Sequence, residues 1–277
     1  MTPEAKTRGR ARTLAFAAAV LLAALGCATA PAAPPPDDQQ DREVQLGQEV
    51  FEELKGEGKI VATSPLYDTL RPIAARITRA AQPRYQHPFR FYLIHQTQPN
   101  AFSTPGGNVY VADSLLYFVK DTEELAGTLC HEVSHTIHHD TMTLMEKRGA
   151  LAVGEVGAAV VLGPTAVNVL AILLMGKLNS LGYSREAESR ADVTGSDVCA
   201  VAGYNPWGLV WLFSDFKDAN VGEAPELLSD HPNDEHRVRT LEEHFRENPG
   251  TFAGFDPDPR SATPISVSKD SMETFLH

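Results

Sequence analysis

The feature that most constrains this chain is HEVSH at residues 131–135, two histidines four residues apart with a glutamate beside the first. The run lies in a stretch with strong helix signals, and helical residues four apart share one face. His131 and His135 can therefore direct two neutral nitrogen ligands at one metal ion. Glu132 projects beside them as a carboxylate that can take a proton from water activated by the metal. Because the run occurs by chance in unrelated proteins, the rest of the chain must decide whether it is catalytic.

A catalytic zinc site needs a third protein ligand, with the fourth position kept for water. The extended pattern HExxHxxGxxH requires Gly at 138 and His at 141, but the chain has His138 and Thr141, which excludes that class. The remaining option is a carboxylate on a later helix. Glu188 can bind the ion while Asp192, four residues on and on the same face, accepts a hydrogen bond from a ligand histidine. The competing interpretation is an exposed charged helix with internal ion pairs.

Four segments in the same order resemble the HtpX/BepA/Oma-type zinc metallopeptidases (peptidase family M forty-eight). In chain order they are NAF with PGGNVYV at residues 100–111, HEVSH, SREAESRAD at residues 184–192, and SDHP at residues 229–232 followed by Arg237. The resemblance implies an α+β fold: a mainly helical gluzincin-type metallopeptidase domain with a small β-sheet whose edge strand flanks the zinc helix. It also implies one Zn²⁺ per chain, with His131, His135 and Glu188 as ligands.

The chain departs from the family pattern directly after the HExxH motif. The family often has Arg-His there, whereas this chain has His139 and Asp140, so we assign no role to these two positions. We expect His138 and His139 to be surface residues rather than metal ligands.

Further roles follow from zinc peptidase chemistry and from the resemblance. Glu132 is expected to act as general base and then to deliver the proton to the leaving amine. His231 or Arg237 is expected to stabilise the oxyanion. Two alternatives remain open for His231, which can instead be a reversible fourth zinc ligand in a latent enzyme or a turn residue before Pro232.

The predicted strand at residues 108–112 provides a binding mode for substrate. The main chain of Asn108, Val109 and Tyr110 would bind an extended peptide by strand addition, which predicts unfolded or misassembled polypeptides as substrates. Two other functions remain open. One is a chaperone-like lipoprotein that holds clients with little turnover, and the other is an integral membrane protease.

Residues 1–26 have the features of a secretory signal, with a basic start and an apolar run at residues 14–25. The sequence LGC at residues 25–27 resembles a bacterial lipobox, in which Cys27 would become the lipid-modified first residue. A competing cleavage site, ATA at residues 28–30, would give a soluble product. We favour the lipoprotein, because a cysteine directly after the apolar run is otherwise hard to explain.

The remaining chain divides into three predicted parts. They are a Pro-rich tether at residues 27–40, a zinc metallopeptidase domain at residues 41–250 and a loose tail at residues 251–277. We expect this domain in the cell envelope, in the periplasm, anchored to the outer membrane through Cys27.

Charge argues against nucleic acid as a partner. Without residues 1–26 the chain has 20 basic and 35 acidic residues, a net charge of −15 against −12 for the full sequence. So acidic a protein is a poor candidate for binding nucleic acid or anionic lipid.

Two features allow more than one interpretation. The apolar residues 150–178, interrupted by glycines and a proline, predict a buried or membrane-apposed helical pair rather than a membrane span. Cys130 and Cys199 can pair in an oxidising compartment, although two buried free thiols are favoured.

Periodicity predicts the remaining elements. Helices are expected at residues 41–54, 70–81 and 184–202 and from Asp121 through the HEVSH run, and strands at residues 89–95 and 108–112.

Overall fold

The computed structural model describes residues 38–145, 182–218, 235–265 and 267. The described residues from Gln39 onward belong to one compact unit. Cys27 with the predicted signal, the apolar residues 150–178, and His231 lie outside the described residues. The described part is mainly helical with one small sheet, which confirms the predicted α+β class.

Two helices open the described chain, α1 (Asp38–Gly56) and α2 (Leu66–Ala81). Leucine and valine recur along α1 at helical spacing, and α2 carries an apolar stripe that is buried along its length. Both helices were predicted, and their buried faces belong to the main hydrophobic core.

Three short strands form the sheet: β1 (Arg90–Ile94), β2 (Ala101–Thr104) and β3 (Asn108–Ala112). The spatial order is β1-β3-β2, with β1 parallel and β2 antiparallel to β3. The prediction that β3 receives substrate is therefore wrong. The main chain of Asn108, Val109 and Tyr110 is already paired with strands on both sides.

The zinc-motif helix is α4 (Thr122–Ile137), which follows the short α3 (Asp113–Phe118). Asp121 caps α4 as predicted, accepting a hydrogen bond from the Glu124 main-chain N at 2.8 Å. Helix α2 and strand β2 pack against α4, as do α5 (Arg185–Ala202) and α6 (Trp207–Asp218). The edge strand that flanks the HEVSH helix is thus β2.

Helices α4 and α5 approach each other closely at Gly195. A Cβ added at Gly195 would lie 3.1 Å from the His131 main-chain N, so only glycine fits this crossing without displacement. One turn further along α5, Cys199 forms a disulfide with Cys130 of α4, with a Cα–Cα distance of 5.8 Å. The expectation of two free thiols is therefore wrong, because the helix crossing brings both cysteines within bonding range.

The C-terminal part packs on the domain. Helices α7 (Glu235–Glu247) and α8 (Pro249–Phe252) form a second apolar cluster with α6, and Phe252 is buried in it. Pro264 then makes a β-bridge with Asp121, at the start of α4. The prediction of a loose tail is wrong for residues 251–265, because their aromatic side chains and main chain find partners on the domain.

Among the helices of the described residues, none has both the length and the apolar character needed to cross a membrane.

Candidate metal centre

Three side chains from two helices converge on one buried point. His131 and His135 lie one turn apart on α4, with their Nε2 atoms 3.0 Å from each other. Glu188, in the first turn of α5, places its carboxylate oxygens 3.5 Å from His131 Nε2 and 3.7 Å from His135 Nε2. These are the three residues that the sequence singled out as ligands, and within the described chain they form a group able to hold a metal ion.

The spacing of these donor atoms fits a tetrahedral ion. Two ligands that each lie about 2.0–2.1 Å from such an ion are about 3.3 Å from one another. The nitrogen–nitrogen and nitrogen–oxygen distances of 3.0, 3.5 and 3.7 Å bracket that value. Two imidazoles and one carboxylate are the donor set of a catalytic zinc ion, with a position left for water.

Each ligand histidine also contacts its own carboxylate through the other ring nitrogen. Asp192 Oδ1 lies 2.9 Å from His131 Nδ1, the kind of contact that the spacing of Glu188 and Asp192 predicted. Asp140 Oδ2 lies 3.0 Å from His135 Nδ1, a contact that the sequence analysis missed. Such carboxylates fix the orientation of a ligand ring and its tautomer, so that Nε2 is presented to the metal.

Arg237, on α7, was predicted as one of two candidates for stabilising the oxyanion, and its contacts are with carboxylates of the metal site. Its guanidinium holds Asp192 through two nitrogens, at 2.7 and 2.6 Å, and contacts Glu188 Oε2 at 2.9 Å. The guanidinium carbon also lies 4.5 Å from the centre of the Phe213 ring, and Arg237 is only 3% exposed. The oxyanion role is not retained for Arg237, because its nitrogens are engaged in holding the metal-site carboxylates.

The sequence pattern of Peptidase family M48 matches residues 66–244, which include both α4 and α5. The chain belongs to this family. It is 26% identical over 208 residues to a Beta-barrel assembly-enhancing protease of Yersinia pestis, covering 72% of this chain and 43% of the relative. The protein of the same name in Escherichia coli (strain K12) is 25% identical, with coverage of 71% and 42%.

A mitochondrial relative matches a shorter segment. The Mitochondrial metalloendopeptidase OMA1 of Schizosaccharomyces pombe is 28% identical over 165 residues, covering 57% of this chain and 47% of that protein. The chain spans less than half the length of each of these M48 relatives.

The carboxylates of the M48 site favour a positive charge on the group between them. Burial disfavours the imidazolium of His131, but hydrogen bonds to Asp192 and Glu188 outweigh burial and raise the pKa of His131 to about 9. Burial likewise opposes ionisation of Asp192, yet Arg237 holds the pKa of Asp192 below its usual value. The two carboxylates thus stabilise a cation at this point, whether a proton or a metal ion.

Glu132 and Tyr183 lie at the same centre. Glu132 lies on α4, between the two histidines in the sequence, and its side chain is fully buried. The Tyr183 ring stacks on His135 with 3.9 Å between ring centroids, and its hydroxyl lies 2.8 Å from Thr141 Oγ1. Burial raises the pKa of Tyr183, and the charge of Glu132 raises it further, so the phenol stays protonated beside the carboxylate.

Two histidines after the motif stand apart from the three-residue group. His138 Nε2 lies 2.7 Å from Thr194 Oγ1, and His139 Nδ1 lies 2.6 Å from Glu43 Oε1. Both are partly buried rather than plain surface residues, and their ring contacts bind α4 to neighbouring elements.

Proposed function

We propose that this chain is a zinc endopeptidase of the bacterial cell envelope that cleaves unfolded or misassembled polypeptides. The observation that carries the proposal is the convergence of His131, His135 and Glu188 at tetrahedral ligand spacing, with Glu132 beside them, in a member of Peptidase family M48. The names of the relatives, a protease and a metalloendopeptidase, support the same activity.

The side chains around the site have distinct roles in peptide hydrolysis. Zinc, when bound, supplies Lewis acidity that polarises the scissile carbonyl and makes water easier to deprotonate. Glu132 takes the proton of the attacking water and later delivers it to the leaving amine. Asp192 keeps His131 in its ligating orientation, and Arg237 holds both Asp192 and Glu188 in place. His231 remains our candidate for stabilising the oxyanion, or for a fourth ligand in a latent state.

The outer edge of β2 is the better candidate for binding an extended substrate. Asn100 O accepts from Ala112 N at 2.9 Å, so the alternation of an antiparallel pair turns the main-chain groups of Ala101 and Ser103 away from β3. Within the described residues no strand pairs with that side of β2, and the strand as a whole contacts α4. Ser103 O accepts a weak hydrogen bond from Thr141 Oγ1 at 3.5 Å, which a peptide N–H would displace.

Strand addition favours particular substrates. Main-chain pairing recognises extended backbone with little side-chain selectivity, and folded proteins rarely expose such segments. We therefore infer that unfolded or misassembled chains are cleaved, a proposal that the name Beta-barrel assembly-enhancing protease supports for envelope proteins.

The proposed location rests on the N-terminal sequence. A signal at residues 1–26, lipid modification of Cys27 and a tether at residues 27–40 would place the domain in the periplasm, at the outer membrane. A disulfide between Cys130 and Cys199 fits an oxidising compartment outside the cytoplasm.

Casein cleavage tests the activity most simply. We expect the purified wild type to contain zinc and to cleave casein, and Glu132→Gln to contain equal zinc but to lose cleavage by at least about 100-fold. A wild type that binds no zinc, or a variant that cleaves equally well, would overturn the proposed function.

A further inference from the structure

The turn after the zinc helix has an unusual backbone that brings Asp140 back to the metal site. Helix α4 ends at Ile137, and His139 adopts the left-handed conformation with φ 54°. A residue with a side chain adopts this conformation at a cost of about 1 kcal/mol or more, so surrounding contacts must hold it. Asp140 follows directly and begins the next helical turn.

Contacts with α1 hold this turn. His139 Nδ1 lies 2.6 Å from Glu43 Oε1, and the Tyr85 hydroxyl donates to Glu43 Oε2 at 2.7 Å. Glu43 is buried, and Gly106 N donates to the Tyr85 oxygen at 3.1 Å. The left-handed turn is therefore tied both to α1 and to the connection between β2 and β3.

Asp140 itself is buried and bound on two sides. One carboxylate oxygen lies 3.0 Å from His135 Nδ1, and the other accepts a hydrogen bond from Arg190 Nη2. Arg190 lies on α5 between Glu188 and Asp192. Asp140 thus links one ligand histidine to the helix that carries the third ligand.

We propose that Asp140 is a positioning residue for the metal site, acting through His135. It is the counterpart of Asp192, so that each ligand histidine has its own carboxylate and each carboxylate its own arginine. This inference rests on the proposed function, because it concerns the same metal site. It assigns a role to a position at which the sequence departs from the family pattern.

Arg237 and Arg190 differ in solvent exposure, so Asp140 can be substituted with less damage to the fold than Asp192. The Arg237 side chain is 3% exposed, so Asp192→Asn would leave a buried guanidinium poorly paired and disturb the fold. The Arg190 side chain is 47% exposed and can turn to solvent when its partner loses charge. Asp140→Asn is therefore expected to keep the fold.

Zinc affinity, measured by competition with a chelator, tests the proposal. We expect Asp140→Asn to bind zinc about 10–100-fold more weakly than the wild type, with the far-ultraviolet circular dichroism unchanged. The matched control is Asp197→Asn. Asp197 also lies on α5 and contacts a histidine, with 2.9 Å between its Oδ1 and His244 Nε2. This substitution should leave zinc affinity unchanged. The visible spectrum of the cobalt-substituted protein should shift in Asp140→Asn and not in Asp197→Asn.

The outcomes separate this inference from the proposed function. If the wild type binds no zinc, the proposed function fails. If the wild type binds zinc and Asp140→Asn binds it with the same affinity and cobalt spectrum, only the role of Asp140 is overturned. If Asp140→Asn does not fold, Arg190→Gln is the second variant. It keeps the Asp140 carboxylate but removes the guanidinium that holds it. Zinc affinity equal to that of the wild type in Arg190→Gln would then overturn the inference.

Discussion

At the scale of single residues, the metal site is a cluster of charges that attracts either a proton or a metal ion. The pKa of His131 is raised to about 9, so in metal-free protein this ring is largely protonated at neutral pH. A zinc ligand must be neutral, so zinc has to displace that proton. We expect zinc affinity, measured by chelator competition, to rise by up to about tenfold per pH unit between pH 6.5 and 8.5.

Stability should change in the opposite sense in the same range. Because the folded-state pKa of His131 lies above its unfolded value, its contribution to stability is complete below about pH 6.5 and is lost as pH rises through about 9. Urea unfolding of metal-free protein should show a falling free energy of unfolding across that window. A zinc affinity independent of pH would contradict the assigned charge of His131.

Arg237 gives a second prediction at this scale. Arg237→Met would remove the guanidinium from two buried carboxylates, Asp192 and Glu188, and should lower the free energy of unfolding of metal-free protein by about 3–5 kcal/mol. Arg190→Met, whose side chain is half exposed, serves as the matched control and should cost less than about 1 kcal/mol. Equal losses in urea unfolding of the two variants would show that Arg237 does not hold the site together.

At the scale of elements, the proposed substrate strand β2 gives a third prediction. Ser103→Pro removes an outward-facing N–H without breaking the ladder between β2 and β3. We expect kcat/KM for casein to fall by about tenfold or more, with a smaller loss of thermal stability than a proline inside the ladder would cause. Phe102→Pro, which breaks the ladder itself, should instead destabilise the fold. Unchanged casein cleavage by Ser103→Pro would remove β2 as the substrate strand.

Elements were predictable where the signal is local. The Asp121 cap and the apolar spacing of α4 and α5 are properties of neighbouring residues, so both helices and the four-residue spacing of His131 and His135 followed from sequence. The order of the sheet did not, because β2 is four residues long and its pairing with β3 is set by tertiary contacts. Asp140 was missed because it reaches His135 only through the left-handed backbone of His139.

At the scale of the whole molecule, the disulfide links the two helices that carry the metal ligands. The sequence showed two cysteines 69 residues apart but not their distance in space, which depends on the crossing of α4 and α5 at Gly195. Closing a loop of that length stabilises the fold by about 4 kcal/mol in the chain-entropy model.

Reduction should therefore lower the free energy of urea unfolding by several kcal/mol. In protein purified without reductant, mass spectrometry after alkylation should find the peptides of Cys130 and Cys199 joined. Alkylation of both thiols under those conditions would contradict the disulfide.

His131, His135 and Glu188 are proposed to hold one zinc ion. Diffraction data collected on both sides of the zinc absorption edge measure this directly. We expect one anomalous peak per chain, within about 2.0–2.2 Å of both histidine Nε2 atoms and a Glu188 carboxylate oxygen. A crystal of zinc-loaded protein with no peak there, or with its peak at other residues, would show that these three residues do not form the zinc site.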